Sequence, residues 1–266
     1  MPLTSFQAIV AGLLAINRTP DSYLAGGAAL HIEPNGKRYS NDLDFFQDSE
    51  QRVASAFEQD RKTLAEADFS LKIVLQQPGF VRAIVERDGG STKVEWAHDS
   101  SWRFLPVVLN PICGYQLHPL DLAINKVLAL VGRDEPRDLL DTVHVHECLL
   151  PLGALCWAAA GKDPGFTPDL LLELLRRRGR VRPEDLARLN LAQPVDLAQL
   201  KRIWLKALDD ADSFVLGRPM REVGCLYYAK STRRFVAPSS EATDDIVCHF
   251  GRPGGVLPRF DFCESE

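Results

Sequence analysis

The sequence predicts an α+β protein, with an N-terminal mixed sheet and flanking helices followed by a mainly helical C-terminal half. Three observations predict this class. Short β-branched and apolar runs separated by glycine turns fill the first part of the chain, helical periodicity replaces them after Pro119, and hydrophobic residues make up 45% of the 266 residues. We expect a core domain over residues 1–112 and a helical domain with an irregular tail over residues 113–266.

The predicted elements of the first part alternate between helices and short strands. Thr4 or Ser5 can cap the first helix, and the paired glycines Gly26 and Gly27 allow a tight turn between a buried strand and the next helix. In order, we predict a helix over 3–16, a strand from Tyr23 with a helix start before Leu30, a strand over 42–46, a helix over 50–67, and strands over 70–75, 80–85 and 92–96.

The second part is predicted to be helical because apolar residues recur there at helical spacing. Thr167 can cap a helix that Pro168 opens, since proline suits the first helical position. In order, the predicted helices cover 120–133, 135–150, 152–160 and 168–178, Pro183 and Pro194 open two more, and a weak hairpin over 225–228 and 234–236 follows.

The charge distribution limits the choice of partners. The chain has 31 Lys and Arg against 36 Asp and Glu, and this net charge of −5 argues against indiscriminate nucleic-acid binding. Residues 170–208 nevertheless hold nine basic and four acidic residues, so we predict a basic face on an acidic body. The arginines of residues 176–180 fit either a solvated helix end or a contact with RNA.

Cysteine usage and hydropathy favour a cytoplasmic protein without a zinc site. The six cysteines form no CxxC pair and have apolar neighbours, which indicates reduced core thiols, and His144 and His146 fall on different helix faces. No run approaches eighteen uninterrupted apolar residues, the usual minimum for a membrane span. The N-terminal segment over 1–15 is apolar but has no Lys or Arg before its hydrophobic part and no small-residue cleavage site. We therefore predict a first helix there rather than a signal peptide.

Two aspartates in the strand predicted over 42–46 carry the strongest chemical signal. Side chains alternate across a strand, so Asp42 and Asp44 share one face while Leu43 and Phe45 share the other. Neighbouring carboxylates repel each other unless a cation lies between them, and their oxygens suit Mg²⁺. The structural alternative is a solvated acidic turn at the strand end, because this spacing is common.

The glycine turn upstream favours the metal interpretation. Backbone amides of Gly26 and Gly27 can cradle a triphosphate whose bridging Mg²⁺ lies on the aspartates. The segments LAGGAAL at 24–30 and KRYSNDLDFF at 37–46 resemble the AbiEii/AbiGii toxin family, which includes the MenT toxins, within the DNA polymerase β-like nucleotidyltransferase superfamily. In that family Gly-Gly-x-Ala-Leu precedes Arg-x-Ser-x-Asp-Leu-Asp-Phe, and Ser40 takes the place of the serine that can bond a phosphate or support a metal ligand.

The resemblance continues to about residue 145. Lys93-Val94-Glu95 corresponds to the family's Lys-x-Asp strand, which implies that Glu95 is the third metal-binding carboxylate; a simple pair with Lys93 is the alternative. The segment DLAINKVLALVGR at 121–133 resembles the family's lysine helix. The resemblance implies that Lys126 and Arg133 contact the triphosphate. The structural alternative for Lys126 is a lysine that extends from a buried helix to solvent and has no role in the site.

The last resembling segment is RDEPRDLLD at 133–141, which matches an arginine followed by Arg-Asp-x-x-Asp. Arg137 and Asp141 are four residues apart on a helix and can therefore pair. One of the two acids Asp138 and Asp141 is expected to serve the site and the other the scaffold. We favour Asp141 for the catalytic site and Asp138 for the scaffold, and the reverse assignment is the alternative.

The resemblance implies a magnesium-dependent nucleotidyltransferase that uses two metal ions and a nucleoside triphosphate. Its acceptor would be the 3′ end of tRNA, which makes the protein a toxin with an antitoxin partner. The predicted catalytic residues are Asp42, Asp44, Glu95, Lys126 and Asp141. Two alternatives remain open: transfer to a protein or small molecule, and a non-catalytic nucleotide-binding module. The glutamate at position 95 favours the module, whereas clustered charged residues at the other positions oppose it.

Overall fold

The computed structural model describes residues 3–32, 36–133, 135–239 and 244–259. Its mixed sheet with flanking helices confirms the predicted α+β class. The helices are α1 (Ser5–Leu14), α2 (Gly26–His31), α3 (Glu50–Glu66), α4 (Pro119–Arg133), α5 (Pro136–Cys148), α6 (Leu152–Lys162), α7 (Pro168–Arg178), α8 (Pro183–Ala187) and α9 (Leu197–Leu216). The strands are β1 (Ser22–Ala25), β2 (Asp42–Gln47), β3 (Ser70–Gln77), β4 (Phe80–Arg87), β5 (Gly90–His98), β6 (Trp102–Arg103), β7 (Val108–Asn110), β8 (Gly114–Gln116), β9 (Cys225–Ala229), β10 (Arg234–Val236), β11 (Ile246–Phe250) and β12 (Arg252–Pro253).

The main sheet has seven strands in the order β3-β4-β5-β2-β1-β8-β7. Strand β2 pairs antiparallel with β1 and parallel with β5, and β1 pairs parallel with β8. The other neighbours are antiparallel hairpins. This arrangement places β2 near the middle of the sheet, with β5 directly beside it, so residues of these two strands can form one site.

The hydrophobic core runs from the sheet into the helical half. Phe45 and Trp96 are fully buried on β2 and β5, and Phe57 of α3 packs edge-on against Trp96 with ring centroids 5.2 Å apart. Helix α6 is buried from Leu152 through Ala160. A Cβ atom at Gly153 would lie 2.8 Å from Cβ of Phe214, so glycine at this position permits the close approach of α6 and α9.

The start of α9 corrects one prediction. We expected Pro194 to open this helix, whereas the helix begins at Leu197 after the cap Asp196. The carboxylate of Asp196 accepts hydrogen bonds from the backbone amides of Ala198 and Gln199, at 2.8 and 3.2 Å. An aspartate that satisfies two free amides defines the helix start more strongly than a proline two residues earlier.

The C-terminal part contains more strand than predicted. Strand β11 adds a third strand to the predicted β9–β10 hairpin, and β12 pairs with β6, far earlier in the chain. The predicted domain boundary after residue 112 falls in the turn between β7 and β8, and β8 belongs to the main sheet. The division into two domains stays a prediction.

The described cysteines are all unbridged, but they are not all core residues. Cys113, Cys156 and Cys225 are buried, whereas Cys148 at the end of α5 and Cys248 on β11 are exposed. The prediction of core thiols was therefore wrong for two positions, because apolar neighbours in sequence do not decide which way a side chain faces. Cys263 lies outside the described residues.

Among the helices of the described residues, none is by itself long and apolar enough to span a membrane. Helices α5 and α6, bent by 114° relative to each other, meet that test only as a pair and only by length and composition.

Candidate active site

The candidate site is built on the paired strands β2 and β5. Their parallel register sets Asp42 opposite Lys93 and Asp44 opposite Glu95. Leu43 is fully buried on the other face of β2, as the alternation of side chains predicts. One carboxylate oxygen from each of the three acids lies within 4.8 Å of the others, which is the spacing that a shared cation requires. The predicted trio of carboxylates is therefore assembled.

Basic side chains form ion pairs with two of the three carboxylates, those of Asp42 and Glu95. The Lys93 Nζ atom is 2.8 Å from Oδ2 of Asp42 and 3.1 Å from Oε1 of Glu95. Arg82, on β4, donates from Nε to the same Glu95 oxygen at 2.8 Å. Both alternatives considered for Glu95 are thus present at once, because the residue joins the acidic trio and also pairs with Lys93.

The two aspartates have pKa values that move in opposite directions. Burial acts to raise the pKa of Asp42, but the hydrogen bond and charge of Lys93, with a 3.1 Å hydrogen bond from Ser40 Oγ, outweigh burial and leave the pKa below its ordinary value. Burial and the charges of Asp42 and Glu95 raise the pKa of Asp44 to about 7. The Asp44 carboxylate is consequently the member of the trio that most lacks a compensating cation.

The turn between β1 and α2 brings backbone against Asp44. Gly26 has a φ angle of +63°, and a Cβ atom there would lie 1.9 Å from Oδ2 of Asp44. At Gly27 a Cβ atom would lie 2.8 Å from Nη2 of Arg38 and 3.1 Å from Oγ of Ser40. Only glycine fits the first position, for both conformational and steric reasons, so the turn presents bare backbone to the site.

Buried ion pairs lie behind the site, where α4 and α5 meet. Lys126 Nζ is 2.8 Å from Oδ2 of Asp141. Arg38 donates from Nε and Nη2 to the two oxygens of Asp141 at 2.9 and 2.7 Å, and Nε2 of His31 is 2.8 Å from Oδ1. Burial acts to raise the pKa of Asp141, but Lys126, His31 and Arg38 together hold it well below its usual range. Asp141 therefore fixes three nitrogen-bearing side chains from α2, the following loop and α4.

Asp138 has the corresponding role for Arg133. The guanidinium donates from Nε and Nη2 to the two oxygens of Asp138 at 2.6 and 2.9 Å. At the other end of α4, the fully buried Asp121 accepts hydrogen bonds from the amides of Phe104 and Leu105 at 2.9 and 3.0 Å. These contacts hold both ends of α4 in place and so fix the position of Lys126 at the edge of the site.

The C-terminal half also positions a site residue. The amide of Tyr39 donates to the carbonyl of Asn190 at 2.8 Å, and the amide of Ala192 donates to the carbonyl of Lys37 at 3.0 Å. These two hydrogen bonds hold the backbone on either side of Arg38 against the loop between α8 and α9. The helical half thus orients the arginine that clamps Asp141.

Together these elements enclose a cleft of about 300 Å³. Eight of the nine predicted site residues line it, and Asp141 lies behind the wall instead. The predicted pair of Arg137 with Asp141 is not formed, because Arg38, His31 and Lys126 occupy both carboxylate oxygens. The cleft is lined by Gly26, Gly27, Arg38, Ser40, Asp42, Asp44, Phe46, Arg82, Lys93, Glu95, Leu122, Asn125, Lys126, Ala129, Arg133 and Arg137.

Arg38, Arg82 and Arg137 were not among the predicted site residues. A signal for Arg82 was present in the sequence, since a hairpin turned at residues 88–89 sets Arg82 opposite Glu95. Arg38 also has a signal in the sequence, because it is the arginine of the Arg-x-Ser-x-Asp-Leu-Asp-Phe pattern. Nothing local indicates its partner Asp141, which is 103 residues away in the chain.

The other candidate clusters make local contacts. His146 Nδ1 accepts a hydrogen bond from the amide of Leu152 at 3.0 Å at the start of α6. Within the described ranges, the acidic trio is the one group of side chains that meets the spacing of a metal site. In the basic stretch, Arg176 pairs with Asp212, and Arg177 pairs with Glu173.

The chain is similar to known proteins in sequence and in fold. The chain matches the family model of the nucleotidyl transferase AbiEii toxin, type IV toxin–antitoxin system, over residues 9–219. Its fold is similar to that of MenT4, a nucleotidyltransferase toxin from Mycobacterium tuberculosis H37Rv, with a TM-score of 0.53 and 18% identity over 81% of this chain and 83% of that one. JHP933 from Helicobacter pylori also matches, with a TM-score of 0.45 and 17% identity over 78% of this chain and 92% of that one.

Among curated protein sequences, none matches the chain significantly. The family model nevertheless spans most of the chain, including the glycine turn, the acidic strands and both helices of the buried ion pairs. The chain therefore belongs to the AbiEii family of nucleotidyltransferase toxins.

Proposed function

We propose that this toxin is a magnesium-dependent nucleotidyltransferase that transfers a nucleoside monophosphate from a nucleoside triphosphate to the 3′ end of tRNA. One observation carries the proposal: Asp42, Asp44 and Glu95 share a cleft with the bare glycine turn and with Lys126. Nucleotidyl transfer needs this combination, because it must bind a polyphosphate and stabilise the charge that develops as pyrophosphate leaves.

The residues present fit a divalent metal of the magnesium type. Their donors are carboxylate oxygens, which are hard ligands, and they lie close enough together to share an ion. Burial and the neighbouring charges of Asp42 and Glu95 raise the pKa of Asp44, and a bound cation would oppose both effects by stabilising the ionised carboxylate. Asp42, Asp44 and Glu95 would hold the metal, and bound Mg²⁺ would neutralise the phosphates and make the acceptor hydroxyl easier to deprotonate.

The remaining roles follow from the side chains and backbone of the cleft. The turn at Gly26 and Gly27 offers backbone to the phosphates without a side chain in the way. Lys126 and Arg133 line the same cleft and offset negative charge on the triphosphate. Asp141 acts through its neighbours as a positioning residue, because it is fully buried and holds Lys126 and Arg38 in place.

The acceptor is proposed from the charge distribution and from the family. Residues 170–208, with nine basic and four acidic side chains, cover most of α7, all of α8 and part of α9. A basic helical surface suits an RNA stem, which proteins recognise by shape and phosphate contacts. The family's type IV toxin–antitoxin system supports an antitoxin partner that counteracts this activity.

The test is a labelling experiment. Purified protein is incubated with Mg²⁺, bulk tRNA and each labelled nucleoside triphosphate in turn, and label is followed into RNA, protein and pyrophosphate. Label in tRNA that disappears in Asp44→Ala supports the proposal and identifies the nucleotide. Label in protein or a small molecule would refute the tRNA acceptor, and triphosphate binding without turnover would indicate a non-catalytic module.

A further inference from the structure

Arg137 stands out among the cations of the cleft. It lies in the first turn of α5, lines the cleft and is half-buried. Its Nε atom is buried and has no hydrogen-bond partner among the described residues. Buried polar atoms of folded proteins are nearly always hydrogen-bonded, so a buried Nε atom without a partner beside a cleft is unusual.

The other five cations that line the cleft have carboxylate partners. Arg137, in contrast, makes no ion pair within the described part of the chain. The five pairs or pair sets are Arg38 with Asp141, Lys126 with Asp141 and Asp138, Arg133 with Asp138, Arg82 with Glu95, and Lys93 with Asp42 and Glu95.

The nearest acids along α5 cannot serve Arg137. Both oxygens of Asp141 are bonded by His31, Arg38 and Lys126, and both oxygens of Asp138 are bonded by Arg133. Arg137 instead lines the same cleft as Asp42, Asp44 and Glu95. Within the described residues, Arg137 is thus a cation without an ion-pair partner, in the same cleft as the acidic trio.

We propose that Arg137 binds the β- and γ-phosphates of the nucleoside triphosphate and holds pyrophosphate as it leaves. The inference rests on the proposed function and adds the residue that receives the leaving group. In the transfer, the acceptor oxygen bonds to the α-phosphorus and gives its proton to water, while the bond from that phosphorus to the bridging oxygen breaks. The electron pair stays on pyrophosphate, whose added charge the guanidinium offsets.

A guanidinium suits this role better than an ammonium. Its planar fork can donate from Nε and Nη to two phosphate oxygens at once, and it stays charged at every working pH. The contact would also satisfy the Nε atom that has no partner within the described residues. Lysine at this position would keep the charge but lose the paired donors.

The test compares Arg137→Met, Arg137→Lys and the wild type by calorimetric titration. The ligands are the α,β-methylene analogues of the four ribonucleoside triphosphates, inorganic pyrophosphate and the four nucleoside monophosphates, all with Mg²⁺. Loss of a hydrogen-bonded charge contact weakens binding roughly 10- to 100-fold, so we expect that loss for the triphosphate analogue and pyrophosphate in Arg137→Met, with a smaller loss in Arg137→Lys. Monophosphate affinity should not change.

Two control variants separate binding from folding. Arg234→Met removes an exposed arginine outside the cleft and should leave every affinity unchanged. Arg133→Met leaves the buried carboxylate of Asp138 without its guanidinium partner and should lower the melting temperature, whereas Arg137→Met breaks no ion pair of the described residues and should not. Should Arg137→Met fail to fold, Arg137→Lys still tests the paired donors.

The outcomes distinguish this inference from the proposed function. If wild-type protein binds neither a triphosphate analogue nor pyrophosphate, the proposed function itself fails. If the wild type binds both and Arg137→Met binds them equally well, only the role of Arg137 is overturned. If Arg137→Met loses affinity for monophosphate and triphosphate equally, Arg137 contacts the nucleoside or the α-phosphate. That result would also overturn the proposed role.

Discussion

Replacing Asp141 by asparagine removes one buried negative charge while keeping the size of the side chain. The Asp141 side chain is fully buried, and its neighbours Arg38 and Lys126 are 4% and 6% exposed. After the substitution Lys126 retains Asp138 at 3.6 Å, whereas Arg38 loses its one ion-pair partner within the described residues. Breaking a buried pair in this way costs about 3–5 kcal/mol of the free energy of unfolding.

A loss of that size should be easy to measure. At about 2–4 °C per kcal/mol for a domain approaching this length, Asp141→Asn should lower the melting temperature by about 6–20 °C. The matched control is Asp212→Asn, since Asp212 pairs with Arg176 at the exposed surface and such pairs contribute about 0–1 kcal/mol. Both variants are followed by calorimetry without nucleotide.

The same pair of variants can refute the positioning role. If Asp141→Asn abolishes transfer but melts within about 2 °C of the wild type, the carboxylate does not hold its neighbours together. The residue would then act on the substrate, as the catalytic assignment from sequence predicts. A large loss of stability accompanied by weaker nucleotide binding would instead agree with a carboxylate that acts through Lys126 and Arg38.

Three further predictions follow from the charges. Asp44→Asn should abolish transfer yet melt at or above the wild-type temperature in EDTA, because it removes repulsion within the acidic trio; a lower melting temperature would contradict this. Lys93→Met should tighten Mn²⁺ binding, measured by electron paramagnetic resonance, by about tenfold, because an ammonium no longer competes for the carboxylates; equal or weaker binding would contradict that. Burial and the charge of His249 lower the pKa of His118 to about 4 in the folded protein. The unfolded chain therefore takes up a proton at this histidine before the folded protein does, and the free energy of unfolding should fall as the pH drops from about 6.5 to about 4. His118→Asn should flatten the melting temperature over that interval, and an unchanged slope would show that other groups cause it.

Local sequence patterns were sufficient for most of the long elements. Helix α3 and strand β2 lie within one residue of their predicted bounds, because amphipathic spacing and alternation act over short stretches. The strands that escaped prediction, such as β6 and β12, have two residues each and exist through pairing between distant segments. A segment of that length has no periodicity to detect, so only the folded chain reveals it.

The site, too, has residues that the local sequence predicts and contacts that depend on distant parts of the chain. Asp42, Asp44 and the glycine turn were predictable because their chemistry depends on neighbours a few residues apart. The pair that a four-residue spacing allows between Arg137 and Asp141 does not form, because Arg38, 103 residues away in the chain, binds Asp141 instead. Two parallel hydrogen bonds from Arg38 outcompete a single helical neighbour, and nothing in the local sequence encodes that choice.

Most charged side chains in and behind the cleft are compensated in two separate groups. Lys93 and Arg82 compensate the acids that would hold a metal, and buried carboxylates compensate the cations behind them. A metal ion entering alone must displace Lys93, and a triphosphate entering alone meets the acidic trio. Each ligand offsets the charge that opposes the other, so metal and nucleotide should bind cooperatively, and by linkage each must raise the affinity of the other by the same factor.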